Sequence, residues 1–188
     1  GFGLIPLGVL GSGPANQGQS KYVIQAGYSD SDLFQGCTVR VVAGYIEQAS
    51  LTRTLTCLGV FNGIFYNAAT TLKPTWSNWY NQPITPANSE NLTAFILDNP
   101  HQLYVGSMSA AAAQAEYGKT YSFSAADPTG SETSGQCSNT LDYTNRHVND
   151  NQWRLIRTAE DPSNNDITAA YTSVVVVNNL NQFGLGTA

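Results

Sequence analysis

Alternation of apolar and polar residues with a period of two dominates the chain, and it predicts strands rather than helices. Leu51, Arg53, Leu55 and Cys57 alternate with Thr52, Thr54 and Thr56, the pattern of a half-buried strand over 51–58. Residues 37–47 read as one long strand, with Val39, Val41, Ala43 and Tyr45 alternating with Thr38, Arg40, Val42 and Gly44. Shorter segments of the same kind cover 21–26, 92–97, 102–106, 119–125 and 151–158. In Val60-Phe61-Asn62-Gly63-Ile64-Phe65-Tyr66, Asn-Gly between apolar pairs predicts a two-residue hairpin. Residues 167–178 end in four valines, 174 to 177, and a run apolar on both faces predicts an internal strand. The Ala run in Ser109–Tyr117, stopped by Gly118, is the one helical signal.

Between these segments the chain is rich in turn formers. Residues 67–92 read as a long loop holding Pro74, Pro83 and Pro86 and an aromatic knot of Trp76, Trp79 and Tyr80. Both ends lack any period. Residues 1–20 form an N-terminal arm in which Phe2, Leu4, Ile5, Leu7, Val9 and Leu10 are interleaved with glycines and Pro6. Residues 179–188 form a C-terminal arm carrying Phe183 and Leu185. One domain over 1–188 is therefore expected, with its β-barrel over 21–178. The expected fold is all-β: a single jelly-roll barrel or sandwich of about eight to nine antiparallel strands, one short helix and two extended arms. The long 67–92 connection favours the jelly roll, whose connections cross between sheets.

Composition narrows the function classes. Charged residues are 11% of the chain, against a usual share of about a quarter, and Asn, Gln, Ser and Thr fill a third of it. Net charge is −5, and the largest basic grouping is Arg154 with Arg157, so nucleic-acid binding through phosphate neutralisation is not expected. The apolar start has no basic n-region and no run spans a bilayer, which predicts a soluble chain with at most peripheral membrane contact. Cys37, Cys57 and Cys137 show no Cys-x-x-Cys spacing and lie far in sequence from His101 and His147, so no zinc site is expected and buried, reduced thiols are.

Candidate chemistry is sparse. There is no Gly-x-Ser-x-Gly elbow, and the two histidines read as loop residues. The acids lie mostly in turns, with no pair marked by its context for glycoside hydrolysis. Asp161-Pro-Ser-Asn-Asn-Asp166 begins like a calcium loop but has no Gly sixth and has Thr172 twelfth, so a turn closed by Asp and Asn side chains is expected instead. Neither catalytic residues nor a bound metal or cofactor are expected. Trp76, Trp79 and Tyr80 could serve as a stacking platform for sugar rings, pin the loop to the sheet, or make a protein contact.

The closing third, Gln152-Trp-Arg-Leu-Ile-Arg-Thr through an acidic turn to Val174-Val-Val-Val-Asn178, resembles the closing strands of small single jelly-roll coat proteins. These belong to tailless icosahedral phages with an internal membrane, the sphaerolipovirus-type group. The resemblance is one of pattern over residues 21–178. It implies a virion capsid protein, not an enzyme, assembled in the host cytoplasm into an icosahedral shell. Its partners would be other capsid subunits, like and unlike, with contact to an internal membrane and no direct nucleic-acid binding. The arm residues Phe2, Leu4, Ile5, Leu7, Val9, Leu10, Phe183 and Leu185 would order against neighbours, being mobile in a free subunit. The alternative is a secreted carbohydrate-binding or adhesive β-sandwich using the Trp76/Trp79/Tyr80 loop.

Overall fold

The computed structural model describes residues 1–11, 18–49, 52–124, 129–164 and 166–184. Its strands are β1 (Ile5–Val9), β2 (Ser20–Ile24), β3 (Leu33–Phe34), β4 (Thr38–Val42), β5 (Tyr45–Gln48), β6 (Gly59–Asn67), β7 (Pro74–Ser77), β8 (Trp79–Tyr80), β9 (Leu92–Leu97), β10 (Gln102–Ser107), β11 (Thr120–Tyr121), β12 (Trp153–Thr158) and β13 (Ser173–Asn178). The fold is all-β and every strand pair is antiparallel. One sheet runs β1-β10-β13-β12-β11, a second runs β2-β9-β6-β4-β5 with β7 also on β6, and β3 pairs β8. In the second sheet the outer strands β2 and β5 come alongside one another, so the sheet curls.

The two sheets enclose two cores. Inside the curled sheet lie Ile24, Val39, Ile46, Phe61, Ile64 and Ile96. Under the other sheet lie Leu4, Tyr104, Trp153, Leu155, Val174 and Val176, packed on Val60 and Leu97. Period-two alternation lets β6 serve both, since Val60 and Phe61 point to opposite sides. Trp153 ties the layers together: its Nε1 donates to Thr38 Oγ1 at 3.1 Å, and its ring meets Tyr104 edge-on at 5.4 Å. The four valines are internal as expected, because β13 is paired on both sides.

Several expectations are corrected. The all-β, antiparallel frame agrees with expectation, with β1 and β10–β13 in one sheet and β2, β9, β6, β4 and β5 in the other, but local elements within it differ. Asn62-Gly63 is no hairpin: β6 runs through it, with a bulge on the β9 side between Phe61 and Gly63. Two-residue arms are too short to outweigh a nine-residue strand that pairs β9, β4 and β7. The tight hairpin lies within the segment read as one strand, at Ala43-Gly44, whose φ values of 49° and 89° are those of a type I′ turn. The short helix is not present. Within 109–117 only Gln114–Glu116 makes a 3-10 turn, and the N–H groups of Ser109 and Ala112 bond instead to Leu141 and Ile167. An isolated two-turn helix is marginal, so these outside partners win. Residues 52–58 are a turn, with Thr54 at φ 76°, rather than a strand.

The arms also differ from expectation. Leu4 is 2% exposed and its N–H donates to Gly36 O, while β1 adds to β10, so residues 3–9 belong to the fold of a single chain. At the other end, Cys57 bridges Asn181, Asn181 Nδ2 donates to Leu58 O, and the Gln182 side chain both accepts from and donates to the Val41 backbone. Extended arms read from aperiodic sequence are thus clamped by backbone partners far away in the chain.

Candidate functional site

Strand parity places the side chains of β13 on two faces. Val174 and Val176 point into the core, so Val175 and Val177 lie on the outer face, in rows with Val105 and Ile5 and with Leu103 and Arg154, where their neighbours keep them buried as well. At the open end of the β12–β13 hairpin this outer face deepens into a groove of about 580 Å3, walled by Leu10, His101, Arg154, Ile156, Val177 and Phe183. Phe183 is 60% exposed. The two chain ends, aperiodic in sequence, thus meet on one face.

Arg154 is held unusually firmly there. Its Nε and Nη2 donate to Asn179 Oδ1, Nη2 also to Asn149 Oδ1 at 3.0 Å, and Nη1 to the carbonyls of Gly118 and Val148. All these acceptors are neutral, and no described carboxylate pairs with it. Its direction is fixed while its charge remains uncompensated.

The structure scatters the remaining arm residues. Phe2 is half-buried beside a cavity of about 160 Å3 that Leu4, Gln35 and Asn62 also line. Ile5, Leu7 and Leu10 are exposed and Val9 is half-buried. Leu185 lies outside the described residues.

The aromatic knot separates into three environments. Trp76 on β7 is 52% exposed and leans on Phe95, with centroids 5.2 Å apart. It also lies across Gly63, where an added Cβ would come within 2.6 Å of its ring. Phe65, its cross-strand partner, is exposed beside it. Trp79 instead stacks on Phe34 at 5.6 Å with planes 4° apart. Tyr80 is fully buried, its hydroxyl donating to Tyr28 O at 2.6 Å. No single platform of the three exists; the exposed aromatic patch is Trp76, Phe65 and Phe95. Parity carries a trace of this, since Leu92, Ala94 and Ile96 are buried and the intervening Phe95 must face out.

A third feature is polar. Glu116, nearly buried, receives a hydrogen bond from Tyr121 OH at 2.8 Å and lies 3.0 Å from Lys119 Nζ and 3.6 Å from Arg146 Nε. Burial alone would raise its carboxyl, but the hydrogen bonds from Tyr121 and Lys119 and the charges of Lys119 and Arg146 outweigh that and hold it below its usual value. Next to it opens a basin of about 410 Å3 lined by Arg53, Arg146, Asn145 and Asn151. Arg53 and His147 both face Asp150, with His147 Nδ1 3.1 Å from its carboxylate. Here, unlike at Arg154, each of Arg53, Lys119 and Arg146 has a carboxylate partner. His101 lines the other groove, so the two histidines do not share a site. Asp161 and Asp166 each accept backbone N–H groups two residues on, as a polar turn requires. Among the described residues no group of three or more His, Cys, Asp or Glu could hold a metal, and no helix is long and apolar enough to cross a membrane.

The chain matches no protein-family model, no curated protein and no solved structure.

Proposed function

We propose that the chain is a structural coat subunit, a virion capsid protein that assembles in the host cytoplasm with copies of itself and with other capsid subunits into an icosahedral shell. The outer face of the β13 sheet carries this reading. There Leu10 and Phe183 are exposed at the mouth of a groove, and Ile5 and Leu7 are exposed along the edge strand β1 of the same sheet, apolar side chains that a contact between subunits would cover. A charge-poor, amide-rich surface suits contacts made by shape and hydrogen bonding. The proposal keeps the two-sheet frame and does not need jelly-roll connectivity. Contact with an internal membrane is part of it, and vesicle flotation tests that part. Sedimentation of the purified chain over a range of concentrations, with electron microscopy of what forms, tests the whole. Assembly into closed shells or arrays is expected, alone or with a second coat protein; a monomer under all conditions overturns it.

A second reading is favoured by one observation. The exposed Trp76, flanked by Phe65 and Phe95, is a surface on which a sugar ring could stack. Glycan-array binding lost in Trp76→Ala would support a carbohydrate-binding sandwich; Trp79→Ala is not a fair test, because Trp79 is stacked on Phe34.

A further inference from the structure

We infer, resting on the assembly reading above, that the acidic turn joining β12 to β13 of one copy docks in the groove at the opposite end of the same hairpin in a second copy. The contact is head-to-tail, between two different surfaces of the same chain.

The turn, residues 159–172, carries Glu160, Asp161 and Asp166 and no Lys or Arg. None of the three carboxylates forms an ion pair with a described residue. Arg157, the nearest cation in sequence, donates instead to Thr158 O. Beside these acids the turn exposes Ile167 and Tyr171, the latter 58% open to solvent. Tyr171 sits at φ 65°, a left-handed backbone that a bulky residue rarely adopts, fixed by its N–H to Met108 O and by Asn164 Nδ2 to its carbonyl. Asp166 Oδ1 accepts from Thr168 N, and Thr172 Oγ1 donates to Ala169 O, so residues 166–172 are held by their own hydrogen bonds and docking them would cost little conformational freedom.

The groove has the opposite character. Its described walls hold no carboxylate, and Arg154 presents a fixed cation without a counter-ion among Leu10, Ile156, Val177 and Phe183. Acid and apolar anchors on one surface therefore face cation and apolar walls on the other. The two cannot meet within one molecule. On β13, Val177 at the groove and Ser173 at the turn are about 13 Å of extended strand apart, and β13 is paired along its length by β10 and β12, which keeps the two ends separate. Each copy thus carries one turn and one groove that only other copies can occupy. Such heterologous contacts propagate into rings or extended arrays rather than stopping at a dimer.

The test uses the full chain and two variants at exposed positions, Phe183→Asp in the groove and the pair Glu160→Lys with Asp166→Lys in the turn. Circular dichroism and melting verify that both stay folded. Sedimentation equilibrium is expected to show each variant alone weakened in self-association by about tenfold or more. Mixed in equal amounts, they should form a one-to-one dimer and nothing larger, because the mixture holds one intact groove facing one intact turn. Two mutually exclusive results overturn the contact while leaving coat assembly standing: either variant alone assembling like wild type, or the mixture staying monomeric although wild type assembles. If wild type is monomeric alone yet assembles with a second coat protein, the head-to-tail contact fails and the coat reading stands. If it is monomeric in both, both fail. If it instead floats with anionic vesicles in a Phe183-dependent manner, the groove's occupant is a lipid surface and the inference is overturned.

Discussion

Leu4→Ala is expected to destabilise the single chain severely although Leu4 lies in a glycine-rich, aperiodic start. Its side chain is 2% exposed, shares a core with Tyr104, Met108 and Leu141, and touches the place where a Cβ on Gly106 would stand. The substitution removes three carbon groups at about 0.8 kcal/mol each, or about 2.4 kcal/mol of transfer energy. The void adds to that, because the flanking strands β1 and β10 are fixed by pairing and cannot collapse inward. A total of about 3–4 kcal/mol follows, within the span measured for buried Leu→Ala changes. For a chain of this size that corresponds to a fall of roughly 6–16 °C in melting temperature. Ile5→Ala is the internal control, one residue on but 51% exposed, and should cost under about 1 kcal/mol. Both are read by urea unfolding and thermal melts followed through tryptophan fluorescence, at a concentration where the chain sediments as a monomer. Should Leu4→Ala melt within about 2 °C of wild type, or should the two variants lose stability equally, the first residues do not belong to the fold and the mobile-arm expectation returns.

Three further outcomes are expected. Thr38→Val leaves the buried Trp153 Nε1 without its acceptor and should cost about 1–3 kcal/mol in chemical denaturation, whereas a neutral result would mean that the indole finds another partner. Glu116→Gln should cost about 1–3 kcal/mol at neutral pH. Because the Glu116 carboxyl is held below its unfolded value of about 4.3, the native stabilisation is complete above that value and lost as pH falls through the folded one; the variant's deficit should therefore vanish in strong acid, and a pH-independent deficit would assign the loss to packing. Burial pushes the Cys57 thiol up to about 12 and the Cys137 thiol up to about 11, and Cys37 is equally enclosed; all three should resist iodoacetamide in the folded chain and react on unfolding, while rapid labelling of the native protein would contradict their burial.

What the sequence determined by itself was parity and class. Side chains on an extended chain alternate sides regardless of what the strand pairs with, so the strands read at 92–97 and 102–106 and the burial of Val174–Val177 were legible from the residues alone, although the strand read over 167–178 begins only at Ser173. So were the scarcity of charge and the polar turn at Asp161–Asp166. Pairing was not legible, because it is a competition among backbone partners distant in the chain, and differences in local propensity of about 1 kcal/mol yield to it. Asn62-Gly63 became a bulge because β9 and β7 offered a longer ladder than a hairpin could, while the turn fell on Ala43-Gly44. The Ala run stayed unwound because Leu141 and Ile167 accepted its N–H groups. Trp76 parted from Trp79 and Tyr80 because β7 pairs β6 and β8 pairs β3, two different partners for neighbouring residues. The groove joins Leu10, His101, Arg154, Val177 and Phe183, which no local pattern connects, and only the order of strands in the β13 sheet brings them together.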